Sequence, residues 1–144
     1  MQEYPHHYVV KASGEPDSTI LIESDGLDSL QSAPPAQFGG PGNLWSPEEL
    51  LSAAVADCFI LTFKAVARAS KLEWLALSCS VDGILDRPEK DSLFTEFRLN
   101  VELQVPAGTD EAKAQRLLEK AEKGCLITNS LKSDISLDAR VVSA

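Results

Sequence analysis

The side chains best suited to covalent chemistry in this sequence are its three cysteines, Cys58, Cys79 and Cys125. A thiolate is a nucleophile, and a second thiol beside it can trap its oxidised form as a disulfide. An odd number of widely spaced cysteines does not make a secreted disulfide framework. No pair has the close spacing of a zinc knuckle, and the only histidines are the adjacent His6 and His7. A structural metal site is therefore not expected, and nothing in the sequence calls for a cofactor. Cys58 lies in the middle of an apolar stretch and, taken alone, reads as a small core hydrophobe or as a nucleophile. Cys125 follows Gly124 and opens a new helical turn, where backbone N–H groups can stabilise a thiolate; a core residue beside a helix cap is the alternative. Cys79 falls on the inward face of a strand and reads as packing. A cysteine hydrolase needs a base, and of the neighbours His6 and His7 at most one can point toward a given site from a strand.

The element that must carry Cys58 is a helix. Ser46 can be its N-cap, with Pro47 at the first helical position and Glu49 three residues after the cap, the pattern of a capping box. Glu48 and Glu49 also suit the positive end of the helix dipole. From Leu50 to Phe63 apolar and small residues cover nearly the whole circumference, so the helix must be wrapped by protein on every side. A small domain struggles to do this alone, and a second subunit is expected to cover part of it. Glu48 and Cys58 are separated by about 15 Å along such a helix and by roughly 80° around it. They cannot touch within one subunit, so a site using both needs a bridging side chain or two subunits.

Strands are expected at Tyr8 to Lys11 and Ser18 to Glu23, joined as a hairpin through Gly14-Glu15-Pro16-Asp17. Ser32 to Ser46, with three prolines and three glycines, reads as a long functional loop. Three longer strands alternate cleanly: Leu75 to Leu85, Phe97 to Val105 and Ile135 to Val141. One apolar and one wet face predicts antiparallel sheet. A second helix is expected from about Asp110 to Lys123 with Gly124 just past its end, then a short helix from Cys125 to Leu131. The fold class is α+β, with curved antiparallel sheet around a buried helix, in a single domain over residues 1–144.

Composition narrows the function. Hydrophobic residues make up 44% and charged residues 24% of the 144, which describes a soluble globular chain. Thirteen Lys and Arg against 22 Asp and Glu give a net charge of −9, which argues against nucleic acid and anionic membranes as partners. The apolar run from Leu50 to Phe63 is shorter than the roughly 20 residues that span a bilayer. Met1 to Tyr8 has neither a basic nor an apolar leader segment, so no secretory signal is expected and the cytoplasm is the expected location.

Three stretches carry a family resemblance: Phe38-Gly39-Gly40, Ser46-Pro47-Glu48-Glu49-Leu50-Leu51, and Ala53-Ala54-Val55-Ala56-Asp57-Cys58-Phe59. Together they resemble the signature of the OsmC/Ohr superfamily, the osmotically inducible and organic hydroperoxide resistance proteins. Ala121 to Leu131, around Cys125, resembles the second-cysteine segment of the same family. The resemblance implies an OsmC-like fold in an intertwined homodimer, with long helices at its centre and active sites at the subunit interface. It implies a thiol-dependent peroxidase of organic hydroperoxides, with Cys58 peroxidatic, Cys125 resolving, and a dithiol or lipoylated protein as reductant. The family's motif glutamate maps to Glu48, which there orients an activating arginine.

The sequence departs from the family at that arginine, since no arginine precedes Arg68. Gln37 stands where one branch carries it, beside Phe38, and these two are the candidate substrate-binding residues. Gln37 donates hydrogen bonds but brings no charge. A family member without efficient peroxidase activity, serving as a redox sensor or small-molecule binding protein, is therefore the competing reading.

Overall fold

The computed structural model describes residues 1–144. They fall into two compact units, Met1–Leu50 and Leu51–Ala144.

In the first unit β1 (Lys11–Ser13), β2 (Ile20–Glu23) and β3 (Leu30–Ser32) form an antiparallel sheet in that order. The expected hairpin is present, with Lys11 opposite Glu23 and Ser13 opposite Leu21, but its first strand is Lys11–Ser13 and not Tyr8 to Lys11, because β2 ends at Glu23 and leaves Tyr8 to Val10 no ladder partners. Its turn closes through Ser18, whose N–H donates to the Glu15 carbonyl at 3.1 Å and whose hydroxyl accepts from the Glu15 N–H at 2.8 Å. β3 was not expected, because three residues are too few to display a period. It is held by β2 and by a bridge from Ser32 to Trp45. That bridge, with Ala33 N–H donating to the Trp45 carbonyl at 2.9 Å, ties the two ends of the Pro/Gly-rich loop together. Inside it the chain makes a 3₁₀ turn at Ala36–Phe38 and doubles back so tightly that a Cβ at Gly40 would lie 1.7 Å from the Pro34 carbonyl oxygen.

Helix α1 (Pro47–Ala69) begins where the capping pattern places it. The Glu49 N–H donates to the Ser46 hydroxyl at 3.2 Å, and that hydroxyl donates to the Glu49 carboxylate at 2.8 Å. At 23 residues α1 is the one helix long and apolar enough, by length and composition alone, to cross a bilayer. It runs further than the apolar segment read from the sequence.

In the second unit β4 (Ala76–Asp86), β5 (Leu93–Val105) and β6 (Asp134–Ser143) form one sheet in that order. Phe97, Leu99, Val101, Leu103 and Val105 are buried on one face, as their alternation requires. Val55, Phe59, Phe63 and Ala67 are wholly buried and belong to the same core. Their spacing of four residues makes them one row along α1. The packing is close where α1 meets β4, for a Cβ at Gly83 would come within 2.6 Å of the Ser52 hydroxyl and 2.8 Å of the Phe97 ring. Each large side chain buried this way contributes about 1.5–3 kcal/mol. Only that row of α1 is wholly buried within one chain; Leu51 and Val66 are partly buried beside it, and Leu61 stays 57% exposed.

The sheet differs from expectation in one respect. β4 and β5 pair antiparallel, but β6 pairs with β5 in parallel, Phe97 opposite Ile135 and Val105 opposite Ser143. The alternation of apolar residues reports a half-buried sheet without reporting strand direction. Direction follows from the helical crossover, α2 (Glu111–Gly124) and α3 (Leu126–Asn129), which returns the chain to the end of the sheet where β5 began. α2 starts at Asp110, whose carboxylate accepts from the Lys113 N–H at 3.1 Å. The Lys113 ammonium donates to the Ser70 carbonyl at 3.0 Å and so fastens α2 to the end of α1.

Candidate active site

The structure brings Cys58 and Cys125 together. Cys58 sits midway along α1, half-buried, and Cys125 is buried at the junction of α2 and α3; neither is in a disulfide. The junction is built differently from expectation. Gly124 is the last residue of α2 with no left-handed φ, and Cys125 itself is extended (φ −68°, ψ 116°), capping α2 and opening α3 at once. The first N–H groups of a helix have no partner within it. Those of Leu126 and Ile127 lie near enough to the Cys58 sulfur to favour its thiolate.

Electrostatics divides the two thiols. Burial opposes ionisation of Cys58, but hydrogen bonds from Ile127 N–H, the Cys125 thiol, the Thr62 hydroxyl and Leu126 N–H together outweigh it. The Cys58 pKa accordingly lies below the ordinary thiol value of 9.0. Burial pushes Cys125 the other way; the Thr128 hydroxyl and N–H offset part of this, and the facing Cys58 raises it again. The sequence placed the stabilising amides at Cys125, whereas their net benefit goes to Cys58. The reason is position: Cys125 precedes those amides as the cap and is only 1% exposed. Ionisation is thus eased at Cys58 and opposed at Cys125.

Cys79 packs against the core from β4, as read, and burial, with the neighbouring Cys125 second, lifts its pKa to about 11. Thr62 was passed over in the sequence except as an interruption of the apolar run. Its spacing of four from Cys58 was the available signal, since it puts both side chains on one helix face. Its hydroxyl donates to the Cys58 carbonyl at 2.7 Å and lies 3.9 Å from the sulfur. The amides of Leu126 and Ile127 left no signal, because a backbone N–H has no letter of its own.

Glu48, Gln37, Phe38 and the two histidines belong to the first unit. Glu48 stands in the first turn of α1, and its buried Oε1 makes no hydrogen bond. Gln37 and Phe38 lie on the 3₁₀ turn, and both are exposed. His6 is engaged by its own segment: its ring stacks on Tyr4 at 4.5 Å, and Nε2 donates to the Gln2 carbonyl at 3.1 Å. Lys64 and Arg68, the first cations after Lys11, are exposed on α1.

Comparison with known proteins agrees with this geometry. The family of OsmC-like proteins matches residues 40–140. An organic hydroperoxide resistance protein of Xanthomonas axonopodis pv. citri is 32% identical over 129 residues, 88% of this chain and 87% of the relative. Peroxiredoxin OsmC of Escherichia coli is 30% identical over 125 residues, 87% of this chain and 86% of the relative. An OsmC-like protein of unknown function from Vibrio cholerae shares the fold at a TM-score of 0.85 and 17% identity, over 94% of this chain and 100% of its own. These names support a peroxidase-like role at moderate identity, in a family that also holds proteins of unknown function. With its two motif cysteines side by side on this fold, the chain belongs to the OsmC/Ohr superfamily.

Proposed function

We propose that this chain is a thiol-dependent peroxidase that reduces organic hydroperoxides to alcohols in oxidative-stress defence. The observation that carries the reading is the pairing of Cys58, whose thiolate is favoured, with Cys125, whose thiol is kept protonated. The Cys58 thiolate attacks the outer peroxide oxygen and the O–O bond breaks. Sulfur is oxidised to the sulfenic acid, and the alkoxide takes a proton from solvent to leave as the alcohol. Cys125 then attacks the sulfenic sulfur, water leaves, and a Cys58–Cys125 disulfide remains. An external dithiol, free or carried on a lipoylated protein, reduces that disulfide by exchange.

The rest of the reading follows the family. Residues 1–144 act as one domain, supported by a family match that crosses the boundary at Leu50. Two copies form a homodimer that covers the open faces of α1 and completes the sites. Glu48 takes the family's acidic position, and Gln37 and Phe38 take the substrate-facing ones. The protein works in the cytoplasm, where thiols stay reduced between turnovers.

The unpartnered Glu48 Oε1 and the missing upstream arginine favour one alternative, a dimer that senses or binds without efficient turnover. The Cys58→Ser variant separates them. It is expected to lose at least about 99% of turnover with an alkyl hydroperoxide and a dithiol, as removing a nucleophile does. A wild-type protein without turnover, or a variant that keeps it, would reject the peroxidase.

A further inference from the structure

Thr62 lies one turn beyond Cys58 on α1, and a threonine inside a helix commonly donates its hydroxyl to the carbonyl four residues back. That bond is present, 2.7 Å from Oγ1 to the Cys58 carbonyl oxygen. Two further features set this threonine apart. Its oxygen lies 3.9 Å from the Cys58 sulfur, so one hydroxyl faces both the backbone and the thiol of the same residue. Its γ-methyl stands on the side of Gly124, the residue before Cys125, 3.6 Å from where a Cβ would lie, so the glycine leaves that space open. A β-branched side chain has few rotamers in a helix, and the bond to the Cys58 carbonyl selects among them. Thr62 is thereby held to Cys58 and faces the segment that carries Cys125.

We propose that Thr62 is a positioning residue of the peroxidase reaction, whose hydroxyl serves the Cys58 carbonyl while the sulfur is a thiol and turns to the sulfur when it is a thiolate. The hydroxyl hydrogen stays on its oxygen throughout, and the Cys58 proton departs to solvent. In the thiol state the same oxygen accepts the S–H, so the side chain needs only to rotate its hydrogen. In a chain with no arginine upstream of Arg68, this neutral donor joins the amides of Leu126 and Ile127 where the family uses a guanidinium. The groups that shift the ionisation of Cys58 are all uncharged: those two amides, Thr62 and, as the one titratable neighbour, Cys125, on which Cys79 of β4 acts in turn. The inference rests on Cys58 being the reacting thiol.

The test is the pH dependence of Cys58 alkylation by iodoacetamide, read peptide by peptide by mass spectrometry, in wild type and in Thr62→Val, Thr62→Ala and Thr62→Ser. Valine keeps the shape without the hydroxyl, and serine keeps the hydroxyl without the methyl. Losing one hydrogen bond to a charged sulfur is expected to raise the midpoint by about one pH unit in the valine and alanine variants. Serine is expected to titrate with wild type. Below the midpoint, hydroperoxide kcat/KM is expected to fall about three- to fourfold in valine and alanine, less than the loss of thiolate because a more basic thiolate is the better nucleophile. A valine or alanine variant with the wild-type midpoint would overturn the proposal, as would a serine variant shifted as far as valine. Alkylation needs no peroxide, so these outcomes are independent of the Cys58→Ser assay that judges the peroxidase itself.

Discussion

Cys58 and Cys125 share a chemistry and a location yet are driven to opposite acidities, and the difference is made by who donates to whom. Cys58 receives hydrogen bonds from two free amides, a hydroxyl and a thiol, while Cys125 spends its own thiol on Cys58 and lies deeper. Alkylation followed by pH is expected to rank the three thiols, with Cys58 reacting at the lowest pH, Cys125 above the ordinary value of 9.0 and Cys79 near about 11. The same shifts act on stability with opposite signs. The thiolate of Cys58 stabilises the fold above the ordinary thiol pKa, and that contribution is lost as pH falls through its lowered value. The preference of Cys79 for its neutral thiol is fully present below 9.0 and is lost as pH rises toward about 11. The identities of Cys58 and Cys125 were legible because motif letters record side chains. Of the four donors to Cys58 only Cys125 was legible, because two are backbone amides and the last, Thr62, looks in sequence like a break in an apolar run.

At the scale of elements, what positions the site is the close seating of α1 on the sheet. Gly83 allows it, since any side chain there meets Ser52 and Phe97 at under 3.0 Å. Gly83→Ala is expected to destabilise the fold by about 1–3 kcal/mol through overpacking, seen as a lower denaturation midpoint at unchanged slope. An unchanged midpoint would mean that α1 can lift off β4 freely. The start of α1 was readable to the residue, because Ser46, Pro47 and Glu49 each have a specific job at a helix start. The direction of β6 was not, because period-two alternation is the same in parallel and antiparallel pairs. Gly124 misled for a related reason: glycine is favoured past a helix end, but here Cys125 breaks the helix with extended dihedrals that any residue adopts.

For the whole molecule, the unwrapped faces of α1 are the feature a lone chain leaves unexplained. Apolar residues around the entire helix were legible in the sequence, and one chain buries a single row of them, Val55, Phe59, Phe63 and Ala67. Light scattering is expected to give about twice the 15.6 kDa of the chain at micromolar concentration; a mass of one chain would remove the proposed homodimer. A net charge of −9 would have no part in recognising the neutral hydroperoxide proposed as substrate, so the proposed turnover is expected to change little with salt. The most direct measurement is disulfide mapping of the wild-type protein after one equivalent of an alkyl hydroperoxide, by peptide mass spectrometry without reduction. The expected product is a Cys58–Cys125 disulfide within each chain, with Cys79 still reduced. Sulfinic acid at Cys58 beside a free Cys125, or a disulfide linking two chains, would contradict the pairing on which the mechanism stands.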